Sequence, residues 1–249
     1  MLETQYIKRV ELKEFPKEER YWESLPVVQN LQKIRELSFP SPVTFLVGEN
    51  GTGKSTLLEA LAVACGFNAE GGTRNFSFST KETHSELSQY LHLIKGYLRP
   101  KDGFFLRAES FYNVASEIDR INNLSVVPLV NSYGGKSLHE QSHGESFFSL
   151  MLHRFGGNGL YLLDEPEAAL SPSRQMAMLT HLHQLVRKDS QFIIATHSPI
   201  LLAYPGACIY VLTEDGIEQT PYEQTEHYVL TREFLNHPQK LLRYLLEED

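Results

Sequence analysis

The chain has 249 residues, 41% of them hydrophobic and 22% charged, ordinary proportions for a globular protein and enough length for one large domain or two small ones. Its formal net charge is −8, and residues 213–249 hold nine acids against three bases, so the body of the chain is only weakly acidic; no basic excess announces nucleic acid, which remains possible only through a local patch. Two isolated cysteines, Cys65 and Cys208, exclude a disulfide framework or a cysteine zinc site and suit a reducing cytoplasm, while no apolar run long enough to span a membrane and no signal-peptide core is present.

In chain order, YIKRVEL reads as a strand. Within PSPVTFLVGENG, Val43 to Val47 form a buried strand running into a glycine-rich turn, and KSTLLEALAVAC is a helix ended by Gly66. Residues 67–80 are rich in Gly, Asn, Ser and Thr and read as loop with at most a short strand. HSELSQYLHLIKGYL has helical spacing, and GFFLRAE is a strand. Residues 110–140 are mixed, with a turn at YGGK. ESFFSLMLHRF is a helix before GGNG, and LYLLDEP is a buried strand. SRQMAMLTHLHQLVRK is an amphipathic helix with Met176, Leu179, Leu182 and Val186 on one face. QFIIATHS is a further buried strand, CIYVLT and GIEQT form a terminal hairpin, and REFLNHPQKLLRYLL is a helix kinked at Pro238. Buried strands alternating with helices specify an α/β protein with a mostly parallel sheet.

The turn GENGTGKST places Gly48, Gly53, Lys54 and Ser55 at the spacing of a phosphate-binding loop. Glycines let the backbone wrap around phosphates with its N–H groups inward, and the following helix adds its positive end. Glu49, Asn50, Gly51, Thr52 and Thr56 complete this candidate nucleotide site. Lys54 would reach the β and γ phosphates, and Ser55 would ligate Mg²⁺.

Asp164 and Glu165 emerge at the C-terminal end of a buried strand, the edge of a parallel sheet where ligands bind. Asp164 suits Mg²⁺, directly or through water, and Glu165 suits a general base for an attacking water. The bland alternative is two solvated acids before a proline turn. Glu167 reads as a surface residue. His197 leaves another buried strand in the same way; it can hydrogen-bond a γ-phosphate or orient the water, or merely cap the turn before Pro199.

QSHGES, residues 141–146, sets a serine, a histidine and a glutamate side by side. A hydrolase triad needs a strand immediately before the serine and a nucleophile-elbow glycine pattern, and Ser142 has neither. A polar helix start and a second phosphate contact remain. The ten histidines suggest no zinc site: His181 and His183 are two apart on a helix and diverge, and His139, His143 and His153 lack ligand spacing.

The P-loop, LLDEPEAAL and ATHS, in that order, resemble the ABC-type ATPases. That superfamily carries a signature, typically Leu-Ser-Gly-Gly-Gln, shortly before the Asp-Glu strand. The slot here, about 20 residues upstream, holds QSHGE: Ser142 and Gly144 are kept, while Gln141, His143 and Glu145 depart. The segments SPVTFLVGENGTGKSTLLEALA, NAEGGTRNF, FFLRAESFYNVAS, LHEQSHGESF, LYLLDEPEAALSP and FIIATHSPILLAYPGA further resemble a compact family of bacterial predicted ATPases of the ABC type, single heads without a fused membrane domain or long coiled coil.

The resemblance implies a P-loop NTPase fold of ABC type in one domain over residues 1–249, with a mostly parallel core sheet, an antiparallel N-terminal portion and a helical portion at about 80–155. It implies ATP and Mg²⁺ as cofactors, hydrolysis at Glu165 with His197, and an ATP-driven head-to-tail homodimer in which Ser142 and Gly144 serve the other subunit's nucleotide. Glu109, or alternatively Asn113, takes the place of the glutamine that follows a middle strand. Arg74, 20 residues after Lys54, matches a phosphate-contacting arginine of SMC-type heads, or is a solvated loop residue. Tyr21 or Trp22 stacks on adenine, or both simply pack. Three uses of the cycle stay open: a soluble ATPase in DNA repair or defence, the ATP-binding subunit of a transporter with a separate membrane partner, and a nucleotide-dependent switch acting on a protein partner.

Overall fold

The computed structural model describes residues 5–14, 20–74, 86–108, 111–124, 139 and 143–246. The first half contains β1 (Ile7–Leu12), α1 (Pro26–Ile34), β2 (Glu36–Ser38), β3 (Val43–Gly48), α2 (Lys54–Ala64), α3 (Leu87–Tyr90), β4 (Leu91–Lys95), β5 (Asp102–Arg107) and α4 (Phe111–Leu124). The second contains α5 (His143–Arg154), β6 (Gly159–Asp164), α6 (Pro172–Val186), β7 (Gln191–Ala195), α7 (Pro199–Leu202), β8 (Cys208–Leu212), β9 (Ile217–Gln219), α8 (Glu226–Asn236) and α9 (Pro238–Leu246).

A six-stranded sheet runs in the order β5-β6-β7-β3-β8-β9. All neighbours are parallel except the β8–β9 hairpin. β3, β6 and β7 are buried at every position, as strands covered on both faces must be. Alternation sorts their side chains. Phe104, Leu106, Tyr161, Leu163, Phe192 and Ile194 enter one core with α4, α5 and α6. Phe105, Leu160, Leu162 and Ile193 enter the opposite core with α2 and a second sheet. That second sheet is three-stranded and antiparallel, in the order β2-β1-β4. Buried Gln191 ties it to the main sheet: its Oε1 accepts from the Tyr6 and Ile7 amides at 2.8 and 2.9 Å, and its Nε2 donates to the Ile7 carbonyl at 2.8 Å. The chain thus has the α/β fold expected of an ABC-type P-loop protein, with an antiparallel N-terminal portion.

Several local expectations change. HSELSQYLHLIKGYL is not one helix: α3 is a single turn, and LHLIK is β4, paired antiparallel with β1 from Leu12↔Leu91 to Ile7↔Lys95. Backbone pairing with β1 outweighs a helical spacing that so short an apolar run leaves ambiguous. The region at about 80–155 therefore holds two strands, β4 and β5, and its described helices of more than one turn are α4 and α5. On α6 Leu182 is buried and Leu179 and Val186 pack partly buried against the core, as expected, joined by buried Met178 and Leu185; Met176 is 56% exposed and does not belong to that face. The last helix begins earlier than expected and is broken at His237 into α8 and α9. No helix among the described residues is long and apolar enough to cross a membrane.

Candidate active site

The carboxyl ends of β3, β6 and β7 face one cleft of about 720 Å³, bordered by Gly48, Asn50, Glu165, His197, His227 and Leu230. Its base is the loop from β3 to α2. Gly48 has φ +148°, and a Cβ there would overlap the Leu212 carbonyl of β8. Gly53, which caps α2, has φ +93°, and a Cβ would strike Val27. Only glycine suits such positions. The loop is pinned from α1, where the Val27 amide donates to the Thr52 carbonyl at 3.0 Å, and from within, where Thr52 Oγ1 donates to the Glu49 carbonyl at 2.9 Å.

Lys54 is 5% exposed. Its Nζ donates to the carbonyls of Gly48 at 2.7 Å and Glu49 at 2.8 Å, so the ammonium lies across the loop. Burial lowers its pKa, opposed by the carboxylates of Glu165, Asp164 and Glu167. Next to it, Ser55 Oγ donates to Asp164 Oδ1 at 3.0 Å. Two neighbouring ligands of an octahedral Mg²⁺ at about 2.1 Å are about 3 Å apart, and Mg²⁺ takes one or two carboxylates with the remaining positions left to water and phosphate. The pair therefore fits that ion. Among the described residues no cluster of three or more His, Cys, Asp or Glu could hold a metal.

Arg107 is a member of this group that sequence reasoning missed. It stands opposite Asp164 in the β5–β6 register. Its Nη1 pairs with Glu59 Oε2 of α2 at 2.6 Å, and its Nε lies 3.7 Å from Asp164 Oδ2. The available signal was its place at the end of a strand beside the Asp-Glu strand.

Glu165 follows at φ 50°, ψ 52°, a left-handed conformation rare for a residue with a side chain. Its amide donates to the Ala195 carbonyl of β7 at 2.9 Å, which holds the turn. Strained backbone of this kind gathers at functional positions. His197 leaves β7 alongside, with Nε2 3.8 Å from Glu165 Oε1. His197 Nδ1 is 3.2 Å from Nε2 of His227, on α8, a residue that no motif marked. Burial lowers the pKa of both imidazoles; Lys54 lowers both further, and His197 lowers that of His227.

Glu167 corrects a sequence expectation. It is not a surface acid: its Oε1 accepts the backbone N–H of His197 at 2.5 Å, and its Oε2 is enclosed. Burial raises its pKa, against the amide of His197 that favours the charged form. The side chain turns inward because Pro166–Ala169 is a tight 3₁₀ turn rather than an extended tail.

The remaining candidates lie elsewhere. Arg74 does not join the group around Lys54; its guanidinium sits 5.1 Å over the Phe67 ring, beyond the far end of α2. Trp22 is 2% exposed, packed 5.7 Å from the Tyr90 ring and beneath Arg20, so it is core and no adenine platform. Tyr21 is 65% exposed. Asn113 donates to Glu70 Oε2 at 3.2 Å. Gly144, in the first turn of α5, packs where a Cβ would overlap the Ala169 carbonyl. Glu109 and Ser142 lie outside the described residues.

Comparison with known proteins adds sequence likeness to this geometry. Residues 27–123 match a family described as an AAA domain, and residues 79–202 match one described as an AAA ATPase domain. An uncharacterized ABC transporter ATP-binding protein of Haemophilus influenzae is 24% identical over 221 residues, 80% of this chain and 79% of that protein. ABC transporter G family member STR2 of Medicago truncatula is 27% identical over 173 residues, 63% of this chain and 24% of that protein. Among solved structures, cbiO1 of Clostridium perfringens, part of the ABC transporter complex cbiONQ, is 17% identical with a TM-score of 0.49 over 95% of this chain and 97% of that one. The SMC head domain from Thermotoga maritima is 18% identical with a TM-score of 0.41 over 87% and 98%.

Proposed function

We propose that this chain, an ABC-type P-loop ATPase, hydrolyses ATP at the cleft between β3, β6 and β7 and closes on a second copy of itself when ATP is bound. The observation that carries the reading is the convergence of Lys54, the Ser55–Asp164 pair, Glu165 and His197 from three strand ends separated in sequence.

The loop amides and the N-terminus of α2 bind phosphate oxygens, and the Lys54 ammonium moves from the Gly48 and Glu49 carbonyls to the β and γ phosphates. Exposed Tyr21 offers a ring face to the purine. Ser55 and Asp164 would hold Mg²⁺, which when bound neutralises charge on the phosphates. Glu165 accepts the proton of the attacking water. The imidazole of His197, beside it, donates to the terminal phosphate. Arg107 and Lys54 offset the carboxylates crowded at this edge.

The dimer reading rests on the signature slot. Gly144 does not border the cleft of its own chain, which suits a role of Ser142 and Gly144 at the nucleotide of a partner copy; its close approach to the Ala169 carbonyl is packing within the chain. Glu165→Gln tests both parts. ATP binding should persist, hydrolysis should slow by about 10²–10⁴-fold, the usual contribution of a positioned base, and an ATP-bound dimer should accumulate. Wild-type turnover would remove Glu165 as the base, and a persistent monomer with ATP would remove the sandwich. The name of the Haemophilus influenzae relative favours, as a second reading, the ATP-binding subunit of a transporter. That reading predicts a membrane protein captured with the ATP-loaded Glu165→Gln variant, whereas the switch and DNA-linked readings predict a soluble partner or DNA.

A further inference from the structure

Three side chains stand in a row at the cleft. Glu165 Oε1 is 3.8 Å from His197 Nε2, and His197 Nδ1 is 3.2 Å from His227 Nε2. His227 comes from the first turn of α8, 30 residues after His197, on an element outside the three motif-bearing strands. A hydrogen bond between two imidazoles needs an N–H on one nitrogen and a lone pair on the other. The geometry alone allows either direction.

The surroundings choose. His197 Nε2 is enclosed and has no hydrogen-bond partner, since 3.8 Å to Glu165 is too long for one. What it faces is an acceptor, the Glu165 carboxylate, and, on the ATPase reading above, the terminal phosphate, which also only accepts. A lone pair aimed at two anionic acceptors is repelled, whereas an N–H is attracted. Nε2 therefore carries the proton, Nδ1 carries the lone pair, and the hydrogen bond across 3.2 Å runs from His227 to His197.

We propose that His227 is a positioning residue: its Nε2–H holds His197 in the Nε2–H tautomer and aims that donor at the terminal phosphate. The buried, unpartnered nitrogen is then a donor kept in readiness for the ligand. The backbone of His197 is held separately by Glu167, through the 2.5 Å bond from the His197 amide. Ring and backbone thus have different anchors, one on α8 and one on the turn after β6. Burial and Lys54 disfavour an imidazolium at either ring and outweigh the opposing carboxylates, Glu165 at His197 and Glu226 with Glu167 at His227, so both rings favour the neutral form. A consequence is that α8 belongs to the site: a movement of α8 that withdraws His227 frees the His197 ring to take the other tautomer, which offers the phosphate a lone pair.

The inference rests on the ATPase reading for its ligand, but not for its main readout. Long-range ¹H–¹⁵N spectra of histidine-labelled protein distinguish the two tautomers, with the His197 signals identified by their loss in His197→Gln. In the wild type without nucleotide at neutral pH, His197 should be in the Nε2–H form. His227→Gln, which keeps an N–H donor, should preserve that form, and His227→Leu should give a mixture. In ATPase assays His227→Leu should lower kcat by about tenfold, less than the roughly 10²–10⁴-fold of a positioned acid or base because His197 itself is kept, with KM for ATP little changed, while His227→Gln stays close to wild type. An Nδ1–H tautomer at His197 in the wild type, or an unmixed Nε2–H form with unchanged kcat in His227→Leu, would overturn the proposal. If the wild type binds no ATP, the ATPase reading fails, and the tautomer spectra still decide the role of His227.

Discussion

Ser55 Oγ and Asp164 Oδ1 meet across 3.0 Å, although 109 residues separate them in the chain. One lies in the first turn of α2 and the other ends β6, so the bond joins the helix that follows the phosphate loop to the strand end that precedes Glu165. The same pair of oxygens has the spacing of adjacent Mg²⁺ ligands. Ser55→Ala should therefore leave the fold intact and raise the Mg²⁺ concentration for half-maximal ATPase activity by roughly tenfold to a hundredfold, the equivalent of about 1.5–3 kcal/mol for a lost contact to a charged group. A Mg²⁺ titration of activity checks this, and an unshifted midpoint would remove Ser55 from the metal site.

Lys54 bonds two loop carbonyls with the charge that would otherwise meet phosphate. Lys54→Ala should weaken ATP binding by about tenfold to over a hundredfold, again about 1.5–3 kcal/mol. Calorimetric titration measures it. Unchanged affinity would dispose of the phosphate-loop assignment.

Glu167 carries a testable pH dependence. Burial places its folded pKa above the ordinary glutamate value. For a raised pKa the group's contribution to stability is present below the unfolded pKa and is lost as pH rises through the folded one. Glu167→Gln keeps an oxygen to accept the His197 amide and removes the buried charge. The variant should melt higher than wild type at pH 8, with the gap closing toward about pH 4, near the unfolded glutamate pKa. Thermal melts across pH decide it; a gap of constant size, or one that widens toward acid, contradicts the assignment.

The trans role of Ser142 is open to a mixing test. Ser142→Arg should bind ATP almost normally and fail to dimerise or hydrolyse, because a bulky cation blocks approach of the partner's γ-phosphate. Mixed with Lys54→Ala, it forms a heterodimer in which one site carries both defects and the other neither. The mixture should regain part of the ATPase activity that each variant lacks alone. A Ser142→Arg protein with full activity alone would end the trans assignment.

That Gly48, Gly53, Lys54, Asp164, Glu165 and His197 gather at one sheet edge was legible in the sequence because the placement of each depends on a local rule. A buried apolar run becomes a strand, a glycine loop follows it, and residues just past strand ends collect at one edge of a parallel sheet. Other features had two readings of equal local merit. LHLIK suits a helix or a strand until β1 supplies its pairing partner. Arg74 is 20 residues from Lys54 in sequence, yet the 11 residues of α2 carry the chain away by about 16 Å at 1.5 Å per residue before it is reached.

What only the tertiary structure decided is who stands beside the motif residues. Arg107 reaches Asp164 because the β5–β6 register places them opposite one another. Glu167 turns under His197 because a 3₁₀ turn follows β6. His227 meets His197 because α8 folds back to the cleft that β3, β6 and β7 open. Local rules specify the chain's path over a few residues at a time. These contacts depend on register and on how a distant helix packs, and both are settled by the burial of whole faces rather than by the residues that finally touch.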